Sequence, residues 1–149
     1  MSSAISDELR GFLMDEPRVA KIATIRKSGS PWLQPVWFTL DGEEPILVVT
    51  GESIAGRSLR RDPRLAFCVD DIELPYAFAT LEGRVETSRD PEQVARWMRE
   101  MLVRYRPEIR DVDAHLHDLM SSSATVCRLK VERIYFEPSV GVEAAKRTD

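Results

Sequence analysis

Most apolar residues in this chain fall in short runs rich in β-branched and aromatic side chains, and turn residues separate these runs. The runs predict six strands: Val19–Ile25, Trp32–Leu40, Pro45–Thr50, Arg64–Asp70, Tyr76–Thr87 and Thr125–Phe136. Helical spacing predicts further elements at the N-terminus and between the later strands. Because most connections are of hairpin length, the order β-β-β-α-β-β-α-α-β predicts an α+β fold that is mostly β, with an antiparallel sheet or barrel and helices attached.

Capping residues mark where two of the helices begin. Ser6 can cap a short N-terminal helix with an apolar face. Asp90 and Pro91 give the clearest helix start, since aspartate caps and proline suits the first helical position. Apolar residues then recur at helical spacing until Pro107, which predicts an amphipathic helix packed on a sheet. A second helical piece follows at about Val112–Met120.

Several residues predict local features of the sheet. Asp41-Gly42 is a strong hairpin signal. Gly83, inside a long strand, predicts a bulge or a close approach of another backbone, and Pro35 predicts an edge strand or an irregularity. The run Arg64–Asp70 is almost continuously apolar, so we expect it to be buried on both faces.

Two tryptophans lie in the second predicted strand. Trp32 and Trp37 are separated by an odd number of residues, so a regular strand would place them on opposite faces. We therefore expect one of them in the core, and the other against a pocket or a subunit contact.

The segment after the third predicted strand has the features of an anion site. The strand leads directly into a short basic helix, which Pro63 ends. A helix N-terminus offers unpaired N–H groups and a positive dipole end to an anion. Arg57 and Arg61 share a helix face and add charge. The alternative is a solvated basic face on which Arg60 and Arg64 form ion pairs; we favour it for those two residues, and the ligand for Arg57.

Composition narrows the class of protein. The length of 149 residues predicts one domain over 1–149, and the hydrophobic content of 43% is ordinary for a globular chain. A net charge of -4 argues against a nucleic-acid binder. No apolar run could span a bilayer, and the polar N-terminus is no signal peptide, so we expect a cytoplasmic protein with no membrane partner. Cys68 and Cys127 lie in apolar runs, as free buried cysteines often do.

The familiar sets of catalytic residues are missing from the sequence. His115 and His117, two apart on a predicted helix, face roughly opposite ways and make no metal pair. No nucleophile elbow, phosphate loop or dinucleotide fingerprint occurs. We therefore predict no metal site and no catalytic side chain, and we expect a cofactor to supply any chemistry.

A series of short motifs resembles the pyridoxamine 5'-phosphate oxidase-like split-barrel family, which includes flavin and deazaflavin reductases. In chain order the motifs are Ala23-Thr24-Ile25, Gly29-Ser30-Pro31, Pro35-Val36-Trp37-Phe38, Ser58-Leu59-Arg60-Arg61-Asp62-Pro63-Arg64, Pro75-Tyr76-Ala77-Phe78, Leu81-Glu82-Gly83-Arg84-Val85-Glu86 and Val131-Glu132-Arg133-Ile134-Tyr135. Each motif alone is weak, but all of them in this order form a strong signal that extends from about Leu9 to Pro138.

The resemblance implies an antiparallel split β-barrel with peripheral helices, and a homodimer with two cofactor sites at the subunit interface. It implies that one strand runs beside the cofactor ring, largely through main-chain groups, and that a helix start holds the phosphate. The residues at the matching positions are Gln34, Pro35, Val36, Trp37, Thr50, Ser53, Arg57 and Ser58. This chain departs from the family at two positions, with Ala55 in place of a lysine and Ser58 in place of an asparagine.

Two functions follow from this resemblance. The first is an oxidoreductase that uses coenzyme F-420 or FMN to transfer hydride to or from a small organic substrate. The second, motivated by the altered phosphate segment, is a carrier of a flavin-like or tetrapyrrole-like ligand without turnover. The sequence does not identify the substrate.

Overall fold

The computed structural model describes residues 4–119 and 123–139, which form four helices and seven strands. In chain order these are α1 (Asp7–Met14), β1 (Ala20–Ile25), β2 (Pro31–Val36), β3 (Phe38–Asp41), β4 (Glu44–Thr50), α2 (Ile54–Arg61), β5 (Arg64–Asp70), β6 (Phe78–Ser88), α3 (Pro91–Tyr105), α4 (Val112–Leu119) and β7 (Ala124–Glu137). Predicted and observed ends of most elements differ by one or two residues. The predicted end of the fourth helix at Met120 lies outside the described residues.

All the strands pair antiparallel in one sheet, in the order β2-β1-β5-β6-β7-β4-β3. The edge strands β2 and β3 lie at opposite ends of this order, yet only Trp37 separates them along the chain. A flat sheet cannot satisfy that connection, so the sheet curls until its two edges meet at Trp37. The predicted antiparallel split barrel with peripheral helices is confirmed.

The prediction of one continuous strand over Trp32–Leu40 was wrong. The strand breaks at Trp37, where the chain crosses from one edge of the barrel to the other. Pro35 lies on the edge strand β2, just before this break, which confirms the expectation drawn from proline. Trp32 packs against the main core, whereas Trp37 is 37% exposed.

The main core fills the inside of the barrel and includes large side chains such as Phe38 and Phe67. Helices α1 and α2 add apolar residues to it. The second cluster lies where α3 covers β4 and β7, around Trp97. The expectation that β5 is buried on both faces was wrong, because its residues alternate between buried and partly exposed as in a sheet covered on one side.

Local signals in the sequence proved reliable. Ser6 caps α1 by accepting a hydrogen bond from the Leu9 N–H, and Asp90 caps α3 in the same way from Glu92. Gly42 adopts a φ of 62° in the predicted hairpin. The register between β6 and β7 shifts at Gly83, where a Cβ atom would lie 1.9 Å from the Lys130 carbonyl oxygen, so the predicted bulge with close backbone approach is confirmed.

Candidate functional site

A groove of about 230 Å³ lies between the outer face of β4 and the helices α3 and α4. Its walls include Trp37, Val48, Thr50, Met98, Met101 and Leu119. None of the described residues that line the groove has a titratable side chain, and their side chains are apolar apart from one hydroxyl and one indole. Such a surface suits a flat, largely uncharged ring system.

Trp37 is held in a fixed orientation at one end of this groove. Its ring lies parallel to that of Tyr105, with a centroid separation of 5.0 Å and an interplanar angle of 2°. The Tyr105 hydroxyl donates to the Arg18 carbonyl oxygen at 2.6 Å and accepts from the Phe38 N–H at 3.2 Å. The last turn of α3 therefore contacts the junction between β2 and β3 through a ring stack and hydrogen bonds. As a result, the Trp37 ring forms an aromatic wall of the groove without any ligand present.

This role of Tyr105 was not predicted from the sequence. Its position matched the apolar spacing of α3, and that spacing predicts packing only. The stack on Trp37 depends on a contact between residues far apart in the chain, and no local pattern encodes such a contact.

Thr50 connects the groove to the start of α2. Its carbonyl oxygen accepts hydrogen bonds from the Ser53 N–H at 3.0 Å and from the Ser53 hydroxyl at 2.6 Å. Ser53 is the N-cap of α2, and its hydroxyl oxygen accepts from the Gly56 N–H. A Cβ atom at Gly56 would lie 2.3 Å from the Thr50 carbonyl oxygen. The first turn of α2 therefore packs directly on the end of β4.

The two sides of α2 have opposite characters. Ala55 and Ser58, where this chain departs from the family, are 0% and 2% exposed, so their side chains face the interior. Arg57 is exposed, and its side chain makes no hydrogen bond or ion pair with any other described residue. A lysine at position 55 would have to displace core atoms, because Ala55 belongs to the main core.

The other arginines near α2 have partners. Arg60 donates to the Gly51 carbonyl oxygen at 3.2 Å, and Arg61 donates to the Ile25 carbonyl oxygen at 2.9 Å. Arg64 pairs with Asp62 at 2.7 Å, and its hydrogen bonds lower the pKa of Asp62 to about 2. The ion pair expected for Arg64 is confirmed, whereas the one expected for Arg60 was wrong, because its partner is a backbone carbonyl.

The remaining predicted site residues lie on β2, which pairs only with β1. Gln34 accepts a hydrogen bond from the Trp32 indole N–H at 2.9 Å, Pro35 is exposed, and Val36 is 8% exposed. An edge strand keeps one row of main-chain groups unpaired within its sheet. The structure thus brings Trp37 and Thr50 into one groove, and Ser53 is hydrogen-bonded to Thr50. The other predicted site residues do not line the groove: Gln34, Pro35, Val36, Arg57 and Ser58.

Other reactive groups do not form a second centre. Across residues 4–119 and 123–139, no cluster of three or more histidine, cysteine or acidic side chains could hold a metal ion. Burial raises the pKa of the Cys127 thiol to about 12, so it stays protonated and unreactive. Within the same residues, no helix is long and apolar enough to cross a membrane.

Comparisons with known proteins agree with this geometry. The family model described as Pyridoxamine 5'-phosphate oxidase matches residues 5–137. No curated protein matches the chain. Many solved structures are similar to it, among them the conserved hypothetical protein Rv2991 from Mycobacterium tuberculosis, with a TM-score of 0.81 and 24% identity, over 96% of this chain and 88% of that one.

Two further structures with this fold bind or use different ligands according to their descriptions. An F420 reductase has a TM-score of 0.69 and 22% identity, over 84% of this chain and 94% of that one. A heme binding protein from Mycobacterium smegmatis has a TM-score of 0.71 and 25% identity, over 95% of this chain and 56% of that one. These likenesses show the fold and leave the ligand open.

Proposed function

Because the chain belongs to the pyridoxamine 5'-phosphate oxidase family, we propose that it is an oxidoreductase that binds coenzyme F-420 or FMN. In this proposal it transfers hydride between that cofactor and a small organic substrate. The observation that carries the proposal is the apolar groove with an aromatic wall, which ends at Thr50, where a helix with an unpaired arginine begins. The similar F420 reductase adds support.

The residues on either side of Thr50 fit the two parts of such a cofactor. Val48, Met98 and the face of Trp37 would contact the ring, because they offer apolar surface without a competing charge. The phosphate would lie at the start of α2, where the first N–H groups of the helix have no partner inside it. Arg57 would supply a full positive charge with a planar, bidentate donor set.

The chain itself contributes binding and orientation. The bound cofactor would supply the hydride chemistry. Trp37 stacks on Tyr105, so its ring already has its orientation before a ligand binds. Less conformational entropy is then lost on binding. Since no described lining residue is titratable, a proton needed by the substrate would come from solvent or from the substrate itself.

We also propose that the protein acts as a homodimer. Large apolar side chains are exposed on the described surface, notably Leu33 at 68%, Ile72 at 87%, Leu74 at 68% and Tyr135 at 53%. Exposed apolar surface of this kind favours burial against a second copy. Light scattering at micromolar concentration tests this proposal, and the mass of a monomer would contradict it.

A second candidate is a carrier that holds a flavin-like or tetrapyrrole-like ligand without turnover. It is favoured by the absence of titratable groups from the described groove lining and by the likeness to a heme binding protein. Met98 and Met101 line the groove and offer soft thioether contacts to such a ring.

Separate titrations of the purified protein with FMN, F-420 and haemin distinguish the two candidates. The oxidoreductase proposal predicts saturable binding of FMN or F-420, followed by oxidation or reduction of the bound cofactor when a substrate is added. Binding of haemin alone would favour the carrier. If none of the three binds, both candidates are wrong.

A further inference from the structure

A second cavity lies on the opposite side of the turn that joins β4 to α2. Its volume is about 190 Å³, and it lies where α2 meets the ends of β6 and β7. Its lining includes Gly51, Gly56, Arg60, Thr87, Arg89 and Thr125. None of the eight residues predicted to bind the cofactor lines it, and Val49 is the one described residue that lines both this cavity and the groove.

Two arginines from different elements reach the same residue in this cavity. Arg60 on α2 donates from Nη2 to the Gly51 carbonyl oxygen at 3.2 Å. Arg89, which follows β6, lies so close that a Cβ atom at Gly51 would be 2.4 Å from its Nη2 atom. The absence of a side chain at Gly51 therefore makes room for the second guanidinium.

Neither of these arginines is neutralised. Within the described part of the chain, neither Arg60 nor Arg89 has a carboxylate partner, although Arg18, Arg64 and Arg128 all do. Both arginines are exposed, so water weakens the repulsion between their like charges but does not abolish it. An anion between them would remove this repulsion and accept hydrogen bonds from both.

The rest of the lining is compatible with an anion. Thr87 is exposed and offers a hydroxyl group. The Cys127 thiol, whose pKa burial raises to about 12, stays neutral and does not repel a negative charge. The cavity has room for a tetrahedral oxyanion with ordered water, since one water occupies ~30 Å³ in the liquid.

We propose that this cavity binds an oxyanion of the phosphate class through Arg60 and Arg89. The ligand is either the free ion or the terminal phosphate of a larger molecule, because both present the same oxygens to the two guanidinium groups. The Arg57 side of α2 remains the proposed position of the cofactor phosphate.

Calorimetric titration with inorganic phosphate tests the proposal. The unchanged protein should bind phosphate, and the affinity should fall as salt is added. The double variant Arg60→Gln/Arg89→Gln should lose affinity by about tenfold or more, as expected when hydrogen bonds to a charged group are removed. Each single variant should lose part of it, and thermal unfolding checks that all variants fold.

A control locates the effect. Arg110→Gln removes an exposed arginine far from α2 in the sequence. This variant should keep nearly the same phosphate affinity. Equal loss in the Arg110 variant, or no phosphate binding by the unchanged protein at millimolar concentration, would overturn the proposal.

Further titrations identify the source of the phosphate and separate this proposal from the cofactor proposal. Methyl phosphate should bind as well as inorganic phosphate if the site accepts the end of a larger molecule, and more weakly if it selects the free ion. FMN or F-420 affinity should depend on Arg57 and not on the Arg60/Arg89 pair. If the pair controls both ligands, the cavity is the cofactor's own phosphate site and the proposal of a separate site fails.

Discussion

Arginines in two regions of this molecule differ in whether they have carboxylate partners. Arg18 is 11% exposed in its side chain and pairs with Asp15, Glu16 and Asp71, the last at 2.9 Å. On and near α2, by contrast, Arg57, Arg60, Arg61 and Arg89 have no carboxylate partner within the described residues.

A shortage of acidic residues does not explain the difference. The chain has 25 aspartates and glutamates against 21 lysines and arginines, so acidic groups are in excess. Glu52 and Asp62 flank α2, yet within the described residues neither of them pairs with these four arginines. The arginine of the first region is held by carboxylates, whereas those of the second have at most a backbone carbonyl oxygen as a side-chain partner among the described residues.

The largest predicted difference between the two regions is the effect of an Arg57 substitution on cofactor binding. Arg57→Ala should weaken binding of FMN or F-420 by ~1.5–3 kcal/mol, the range for a hydrogen bond to a charged group. The free energy of unfolding should hardly change, because an exposed arginine contributes little to it. Fluorescence titration and chemical denaturation measure the two quantities. The control Arg60→Ala should affect cofactor binding much less; the reverse pattern would contradict the assignment.

The opposite behaviour is expected of Arg18. Arg18→Met removes the pair with Asp71 and a hydrogen bond to the Phe12 carbonyl oxygen at 2.5 Å. The free energy of unfolding should fall by ~2 kcal/mol, with cofactor affinity unchanged in the folded protein. Urea denaturation checks the first effect and titration the second. If Arg18→Met lowered cofactor affinity without lowering the free energy of unfolding, the difference proposed between the two regions would be contradicted.

A smaller effect is expected where the two regions meet at the groove. Tyr105→Phe keeps the ring that stacks on Trp37 but removes its hydrogen bonds to Arg18 and Phe38. The free energy of unfolding should fall by ~1 kcal/mol. Trp37 fluorescence should change because its indole ring becomes more mobile. Tyr135→Phe, at a residue that is 53% exposed, is the matched control and should be nearly neutral. Equal effects in both variants would show that Tyr105 does not fix the junction.

The smallest effect concerns the neutralised arginine that follows α2. Arg64 lowers the pKa of Asp62 to about 2 from an ordinary 3.8. Because the folded-state pKa is depressed, the pair stabilises the protein above the ordinary value, and this contribution is lost as pH falls from 3.8 toward 2. In Arg64→Ala, an NMR titration should find the Asp62 pKa raised toward its ordinary value, because the side-chain hydrogen bonds are lost while the one from the backbone N–H of residue 64 remains. An unchanged pKa would mean that Arg64 is not its main partner.

Local features of this fold were predictable because local chemistry encodes them. Ser6 and Asp90 cap their helices through side chains a few residues from the N–H groups they bind. Gly83 marks the bulge because no side chain fits against Lys130. The membership of the chain in its family, and with it the split barrel, followed from motifs in the right order.

Features that depend on distant contacts were not predictable in this way. The break at Trp37 follows from barrel closure, which joins the opposite edges of the sheet. The approach of Arg89 to Gly51 depends on how β6 ends beside α2. For the candidate site, the sequence indicated Trp37, Thr50 and Arg57, but it did not reveal the support that Tyr105 gives or the burial of Ala55.

The most direct test of the account follows the arginine side chains by NMR during cofactor binding. On addition of FMN or F-420, the Nε–H signal of Arg57 should shift, while those of Arg18 and Arg128 should stay in place. Riboflavin, which lacks the phosphate, should leave the Arg57 signal unmoved. If the cofactor binds and Arg57 does not respond, the phosphate lies elsewhere and the proposed role of this helix is wrong.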